Sequence, residues 1–244
     1  MIICHRHRFI FLKSRKTASS SVEIALSRVC GPGDVVTPLV EHLGEEDLRR
    51  EEGGFGPAGY LKSVGEHRGF REWRRLLTRG QRARRHDGLT PAATLRELLP
   101  PEVWGGYTKI SIERNPWDRA LSRYWWNKYR WEREGKWEFN DVTEFLKYMA
   151  IAKPHQLSNW RTYAIGDELA VDHMLFYEDL DQGLRELSER LDIVGDISLP
   201  KRRAKAGFRR EQRHYSELLS AEDREIVASA CAREITMFGY EFNS

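Results

Sequence analysis

The sequence predicts an α/β fold with three layers, in which helices flank a central, mainly parallel sheet. An apolar segment at 9–12 and an alternating segment at 107–112 indicate strands, and 171–176 is a third candidate. Each is followed by a polar turn and then by apolar residues at helical spacing. Strands that alternate with helices are typical of parallel sheets, because the connecting helices cover the faces of the sheet. With 244 residues, the chain can bury a substantial core. We therefore expect a single domain over 1–244, with an irregular insert at about 40–90.

The composition narrows the classes of function. Hydrophobic residues make up 40% of the chain and charged residues 32%, which is typical of a globular protein. The formal net charge of +3 permits an anionic ligand but does not demand nucleic acid. No apolar segment approaches the roughly 20 residues of a membrane helix, and no signal-peptide segment precedes Lys13. The three widely spaced cysteines predict neither a disulfide framework nor a zinc site, so we expect a cytoplasmic protein without metal, membrane or nucleic acid as partners.

The first strand leads into a candidate phosphate-binding loop. A polar turn follows the strand at 9–12, and a helical pattern begins near Val22. The N-terminus of such a helix offers N–H groups and the positive end of the helix dipole to an anion, and Lys16 adds a full charge. Hydroxyl donors follow the lysine at Thr17, Ser19, Ser20 and Ser21. The turn is not a Walker A loop, because no glycine lies between Phe9 and Val29, and the alternative is a serine-rich helix start with an incidental lysine.

A second strand–turn–helix unit places an arginine at the corresponding position. Arg114 follows the strand at 107–112, and Ser122 lies eight positions further along, two turns into the next helix. Ligands of open α/β sheets bind at the carboxyl ends of strands, and an arginine can hold a phosphate through two hydrogen bonds. The alternative is that Arg114 pairs locally with Asp118, while Ser122 is an exposed helix residue.

The remaining helices follow from local signals. Thr90 and Pro91 predict a helix start with Thr90 as the N-cap, and Asn140 is the predicted cap of a further helix. Apolar residues at helical spacing also follow the third strand. Ser220 and Asp223 predict a capping box at the start of the last helix.

Taken together, two stretches resemble the sulfotransferases that use 3′-phosphoadenosine 5′-phosphosulfate (PAPS). The sequence Lys16-Thr17-Ala18-Ser19-Ser20-Ser21 after a strand resembles their 5′-phosphosulfate loop. The sequence Arg114-Asn115-Pro116-Trp117-Asp118-Arg119-Ala120-Leu121-Ser122, about 100 residues later, closely resembles their 3′-phosphate motif. Further matches at 30–34, 177–180 and 234–242 are similar to a microbial branch related to carbohydrate sulfotransferases. The resemblance spans nearly the whole chain and implies a P-loop-NTPase-like sulfotransferase fold.

The loop departs from the family's pattern at three positions. These sulfotransferases commonly have a proline before the lysine and at least one glycine after it, whereas this chain has Arg15, Ala18 and Ser19 at those places. Positive φ angles cost free energy in residues other than glycine, which bears directly on the geometry of the loop.

The resemblance implies that the sulfuryl group of PAPS moves in line to a hydroxyl of a carbohydrate or small metabolite, without a metal, leaving 3′,5′-diphosphoadenosine (PAP). By matched position, Lys16 would contact the oxygen that bridges phosphate and sulfate. The 5′-phosphate would be held by Arg15, Thr17, Ala18, Ser19, Ser20 and Ser21. The rest of the donor would be bound by Arg114, Ser122, Tyr177, Lys205 and Arg209, the last two from a basic segment at 201–210.

A base must accept the proton of the acceptor hydroxyl. His86 lies between the two phosphate motifs, where the resembling families have an active-site histidine, and His155 is the second candidate. An Asp or Glu base is a third alternative. Four tryptophans are candidates either to stack on the acceptor or to pack in the core, namely Trp125, Trp126, Trp131 and Trp137.

Two other functions are compatible with parts of the sequence. A nucleotide-dependent kinase of the same fold is disfavoured by the missing Walker A loop, and also because Arg114 and Ser122 suit a 3′-phosphate that ATP lacks. A basic nucleic-acid-binding module is suggested by the segment at 201–210 alone.

Overall fold

The structure is a computed structural model that describes residues 1–40, 43–67, 69–194, 197–202, 208, 211 and 213–243. Its strands are β1 (Ile2–Cys4), β2 (Phe9–Phe11), β3 (Val35–Val36), β4 (Thr108–Glu113), β5 (Ala164–Ile165), β6 (Glu168–Leu169) and β7 (His173–Phe176). Within these residues, five strands form the central sheet in the order β3-β1-β2-β4-β7. The short strands β5 and β6 form a separate antiparallel pair.

The strands β2, β4 and β7 run parallel, with Phe9 opposite Thr108 and Ile110 opposite His173. The strand β1 is antiparallel to both β2 and β3. The predicted α/β fold with a mainly parallel sheet is thus confirmed. The sequence did not predict β1, because its three residues are too few to show a periodic pattern.

The helices that the structure describes are α1 (Ser19–Ser27), α2 (Glu45–Glu51), α3 (Phe70–Arg79), α4 (Ala92–Leu98), α5 (Pro101–Gly106), α6 (Pro116–Arg133), α7 (Val142–Ala152), α8 (Pro154–Leu157), α9 (Trp160–Tyr163), α10 (Leu180–Arg190), α11 (Tyr215–Leu218), α12 (Ala221–Ala230) and α13 (Ala232–Phe238). The segment at about 40–90, expected to be an irregular insert, contains α2, α3 and a short 3-10 turn at Val64–Glu66. A second 3-10 turn, Tyr177–Asp179, connects β7 to α10.

Alternate side chains of β2 pack against helices on opposite faces of the sheet. Phe9 and Phe11 contact the cluster that contains α1 and α10, whereas Ile10 belongs to the cluster that contains α4 and α5. All three side chains are fully buried, which is typical of a parallel strand covered on both faces and explains its unbroken apolar sequence. A further apolar cluster joins α6 to α7 and α12. This cluster fixes the position of α6, the helix that follows β4.

Two of the predicted helix caps are wrong by one residue. Pro91 rather than Thr90 is the N-cap of α4, because the Thr90 hydroxyl is already bonded within the preceding turn. Asp141 rather than Asn140 caps α7, and its carboxylate is the stronger acceptor of the two for a backbone N–H. The predicted capping box at the start of α12, built on Ser220, is confirmed.

Candidate functional site

The parallel pairing of β2 and β4 brings two distant turns to one edge of the sheet. The loop at 13–18 follows β2, and the turn that contains Arg114 follows β4, so both lie at carboxyl ends of strands. A cleft of about 1120 Å³ opens there, bordered also by α6, the start of α10 and the insert near Asp87. Open α/β sheets bind their ligands at this position.

The loop before α1 has a left-handed backbone at two residues that are not glycine. The φ angle is 61° at Lys16 and 58° at Ala18. Each such conformation costs an L-residue roughly 1–2 kcal/mol. Ala18 is the N-cap of α1, no described side chain caps the helix there, and Ser19, Ser20 and Ser21 of its first turn border the cleft. A helix N-terminus of this kind is suited to bind an anion.

Side chains from distant parts of the chain hold this loop. Asn159 accepts a hydrogen bond from the Arg15 N–H at 3.0 Å and donates one to the Arg15 carbonyl at 3.0 Å. Arg114 donates from Nη1 to the Lys16 carbonyl at 3.3 Å. A strained backbone persists only where its surroundings determine it strongly, and these contacts supply that constraint on both sides of the loop.

The guanidinium of Arg114 lies where the two motifs meet. Its Nε donates to Asp118 at 2.8 Å, its Nη2 donates to the same carboxylate, and its central carbon lies 3.8 Å from the centroid of the Tyr177 ring. The local pair with Asp118 is therefore present, yet Arg114 also lines the cleft together with Ser122. A guanidinium has five N–H donors, and Asp118 and the Lys16 carbonyl occupy only three of them.

Aromatic side chains of α6 line the cleft beside Lys16. The Lys16 Nζ lies 5.1 Å from the centroid of the Trp126 ring, and Phe208 packs edge-on against that ring at 4.9 Å. Trp125 and Trp131 also border the cleft, and like Trp137 they pack in the apolar cluster of α6, α7 and α12. The cleft thus combines a cationic loop with ring surfaces that could receive a planar or sugar-like group.

A buried carboxylate compensates positive charge beneath the loop. Glu23 on α1 pairs with the Lys13 Nζ at 2.7 Å and with the Arg49 Nη2 at 3.2 Å. Burial by itself would raise the pKa of Glu23, but neighbouring cations, Lys13 foremost, lower it to about 2. Glu23 is therefore ionised at neutral pH and neutralises Lys13, which borders the cleft.

A second buried carboxylate fixes the end of β4. Glu113 accepts hydrogen bonds from Arg119 and from the Tyr163 hydroxyl, and Arg119 also lies 3.4 Å from Glu234. Burial raises the pKa of Glu113, although Arg119 opposes the shift. Glu234 in turn accepts the Asn159 N–H at 2.9 Å. The network therefore connects the end of β4 to the residue that holds Arg15.

Some predicted site residues are not brought into the cleft. The Thr17 side chain is fully buried and its hydroxyl lies 2.6 Å from the Ser14 Oγ, so this hydroxyl points into the protein. Lys205 and Arg209 lie outside the described residues. Phe208 is described, and it borders the cleft. Arg15, Lys16, Ala18, Ser19, Ser20, Ser21, Arg114, Ser122 and Tyr177 all border it as well.

Neither candidate histidine belongs to the described lining of the cleft. His86 is only 3% exposed, and its Nδ1 has no hydrogen-bond partner among the described residues. Burial and the nearby charge of Arg85 lower the pKa of His86 to about 4. Its neighbour Asp87 does line the cleft. His155 is exposed on α8, and partial burial and surrounding cations lower its pKa.

Arg123 and Asn159 belong to the site but were not predicted from the sequence. Arg123 is 7% exposed, borders the cleft, and donates from Nε and Nη2 to the Gln156 carbonyl at 3.2 and 2.8 Å. Its position beside Ser122 and one helical turn before Trp126 was an available signal. Asn159 gave no local signal, because its partner is 144 residues away in the sequence.

At the opposite edge of the sheet, two distant cysteines come together. Cys4, Cys30 and Asp34 place potential ligand atoms within 4.8 Å of one another, and both cysteines are free thiols. The Asp34 carboxylate already accepts the His5 N–H at 2.6 Å and the Gly31 N–H at 2.8 Å. The spacing of the cysteines did not predict this group. It lies near the start of β2, and the cleft lies beyond the end of that strand.

Comparisons with known proteins name no activity for this chain. No family model matches it, and no solved structure matches it. A protein of Archaeoglobus fulgidus that is described as uncharacterised is 26% identical over 113 residues, which are 45% of this chain and 88% of that protein. Within the described ranges, every helix is too short or too polar to cross a bilayer. Any inference about function therefore rests on the cleft.

Replacing Ala18 by glycine tests the left-handed loop. Glycine removes a backbone strain of roughly 1–2 kcal/mol but adds freedom to the unfolded chain, so we expect Ala18→Gly to leave the free energy of unfolding unchanged or raise it by up to about 1 kcal/mol. Ala25→Gly, within the same helix, is the matched control and should cost about 1 kcal/mol or more. Urea unfolding measures both. Equal destabilisation by the two variants would contradict the left-handed conformation at Ala18.

The buried state of His86 predicts a specific dependence of stability on pH. In the unfolded chain, His86 binds a proton as the pH falls below 6.5, whereas its pKa in the fold is about 4. Between these two pKa values, the unfolded chain binds more protons than the folded protein does. The free energy of unfolding should therefore fall by up to about 2 kcal/mol from pH 7 to pH 5.

In the variant His86→Gln, the free energy of unfolding should fall less than in wild type between pH 7 and pH 5. His155→Gln, at an exposed position, is the control and should alter this pH dependence less. Urea unfolding at both pH values provides the comparison. If wild type and His86→Gln lost the same free energy on acidification, His86 would not be buried in its neutral form.

Proposed function

We propose that this protein is a sulfotransferase that moves the sulfuryl group of PAPS to a hydroxyl of a carbohydrate or another small metabolite. The observation that supports this most directly is that the loop at 15–21 and the pair Arg114 and Ser122 border one cleft. Two separate phosphate-binding groups suit a nucleotide with phosphates on both the 3′ and the 5′ oxygen. In the proposed pose, the N-terminus of α1 binds the 5′-phosphate, and Arg114 with Ser122 binds the 3′-phosphate.

The chain's own residues can provide the chemistry of this transfer. The bond between sulfur and the 5′-phosphate oxygen breaks, a bond from sulfur to the acceptor oxygen forms, and a base takes the acceptor's proton. The departing phosphate gains negative charge, which the Lys16 ammonium and the dipole of α1 stabilise. The Trp126 ring, 5.1 Å from the Lys16 Nζ, keeps this ammonium in the cleft.

The hydrogen bonds to Arg15 prepare the loop for the donor. Asn159 holds both the N–H and the carbonyl of Arg15, directly before the left-handed Lys16. A binding loop that already has its bound conformation does not lose further conformational entropy when the ligand arrives. The strain at Lys16 and Ala18 is then part of the folded state before any phosphate binds.

The base is the least constrained role in this proposal. His86 is neutral at neutral pH and can accept a proton, but its side chain lies outside the described lining of the cleft. His155 is exposed beside Gln156, which does border the cleft. Asp87 borders the cleft, and its carboxylate is a third candidate. Turnover of His86→Ala, His155→Ala and Asp87→Asn with saturating donor identifies the base, since loss of the base costs roughly 10²–10⁴ in rate.

Calorimetric titration of the purified protein tests the function. We expect PAP to bind at least about ten-fold more tightly than ADP, because Arg114 and Ser122 gain a charged partner only from the 3′-phosphate. Duplex DNA is the third ligand and should compete poorly with PAP. Equal affinities for PAP and ADP would instead favour a kinase, and preferential binding of DNA would favour a nucleic-acid-binding module.

Two substitutions separate binding of the donor from the transfer itself. Arg114→Gln should weaken PAP binding by roughly 1.5–3 kcal/mol, the usual value of a hydrogen bond to a charged group. Lys16→Ala should mainly slow transfer from PAPS, because the ammonium acts on the charge of the departing phosphate. Arg185→Gln removes an exposed arginine of the same cleft and is the control for net charge. Normal donor affinity and normal rate in both site variants would refute the assignment of the two motifs.

A further inference from the structure

One wall of the cleft carries positive charge that has no carboxylate partner within the described part of the chain. Arg15 of the loop, Arg123 of α6 and Lys153 after α7 all border the cleft. The described contacts of the charged groups of Arg123 and Lys153 are neutral ones, namely the Gln156 carbonyl for the Arg123 guanidinium and the Trp131 ring, whose centroid lies 4.9 Å from the Lys153 Nζ. We refer to Arg15, Arg123 and Lys153 as the cationic wall.

Two other cations of the cleft have carboxylate partners. Lys13 pairs with Glu23 at 2.7 Å, and Arg114 pairs with Asp118. Asp87 is the carboxylate that acts on Arg15, but only through space. The residues of the cationic wall differ from Lys13 and Arg114 in that no ion pair with a carboxylate is found for them among the described residues.

Arg123 is the clearest example of a buried positive charge whose described contacts include no carboxylate. It is 7% exposed, and its hydrogen bonds run to the neutral carbonyl of Gln156. Burial lowers the pKa of Arg123 to about 9, and the charges around it, Arg15, Arg119 and Arg130, act in the same direction. A buried charge without a counter-charge costs free energy, and an anion that enters the cleft would recover part of that cost.

We propose that the cationic wall binds an anionic group of the acceptor, such as a carboxylate, a sulfate ester or a phosphate ester. The planar guanidinium of Arg123 can meet two oxygens of such a group at once. Trp125 and Trp126 border the same cleft and could stack on the sugar or aromatic ring that carries it. This inference rests on the proposed function, because it takes the donor to occupy the Arg114 side of the cleft.

Two glycosides that differ only in the group at C6, one of them a carboxylate, test the cationic wall. The protein is saturated with PAP and then titrated with p-nitrophenyl glucuronide or with p-nitrophenyl glucoside, which lacks the carboxylate. We expect the glucuronide to bind about ten-fold more tightly or better, in line with a charge-assisted hydrogen bond. In Arg123→Gln the preference should shrink to about two-fold or less, while PAP affinity stays unchanged.

The controls separate this inference from the proposed function. Arg185→Gln, at an exposed arginine of the same cleft, should keep the preference for the glucuronide. Equal affinity of wild type for the two probes would overturn the proposal, even if Arg123→Gln did not fold. A preference that survives in Arg123→Gln, or a matching loss of PAP affinity in that variant, would overturn it too. If PAP did not bind at all, the proposed function would fail, and the probe pair without PAP would still test the cationic wall.

Discussion

The parallel hydrogen bonding between β2 and β4 is the constraint on which the cleft depends. Phe9 lies opposite Thr108, and both strands run in the same direction, so the residues that follow them emerge at one edge of the sheet. The Ser14 hydroxyl continues this contact by donating to a carbonyl of β4 at 2.6 Å. As a result Lys16 and Arg114, 98 residues apart in the sequence, meet through a direct hydrogen bond. The helices pack around a sheet whose register has already placed both turns together.

The buried charges behind the cleft contribute more by fixing the positions of neighbouring residues than by stabilising the fold. An ion-pair network such as Glu113, Arg119 and Glu234 is often no more stabilising than an apolar core of the same volume. Its hydrogen bonds, however, have fixed directions. Glu113 also accepts the N–H of Arg114 at 2.8 Å, and Glu234 accepts the N–H of Asn159. Both residues that restrain the loop are thereby fixed by a network in which each carboxylate has several donors.

The sequence predicted the parts of this molecule that depend on local patterns. The strand and helix around Lys16 and those around Arg114 each show their own periodicity, and the parallel sheet follows from their order. Contacts between distant residues have no such signal, which is why Asn159 was missed as a site residue. The left-handed backbone at Ala18 could not be predicted, since alanine favours other conformations and only tertiary contacts can impose this one. The positions of candidate bases in the insert depend on the same kind of contact.

Two costs in free energy coincide at this one edge of the sheet. The backbone is left-handed at Lys16 and Ala18, and the charge of Arg123 is buried without a counter-charge among the described residues. Selection for stability alone would favour glycine at position 18 and a neutral side chain at position 123. Strain and uncompensated charge persist where binding offsets their cost, because a ligand that prefers the folded state adds its own binding free energy to the stability of the fold. An anion at the N-terminus of α1 would offset the first cost by its binding free energy, and a second anion at Arg123 would supply the missing counter-charge. The strained loop and the uncompensated charge of Arg123 therefore point to the same cleft by independent physical arguments.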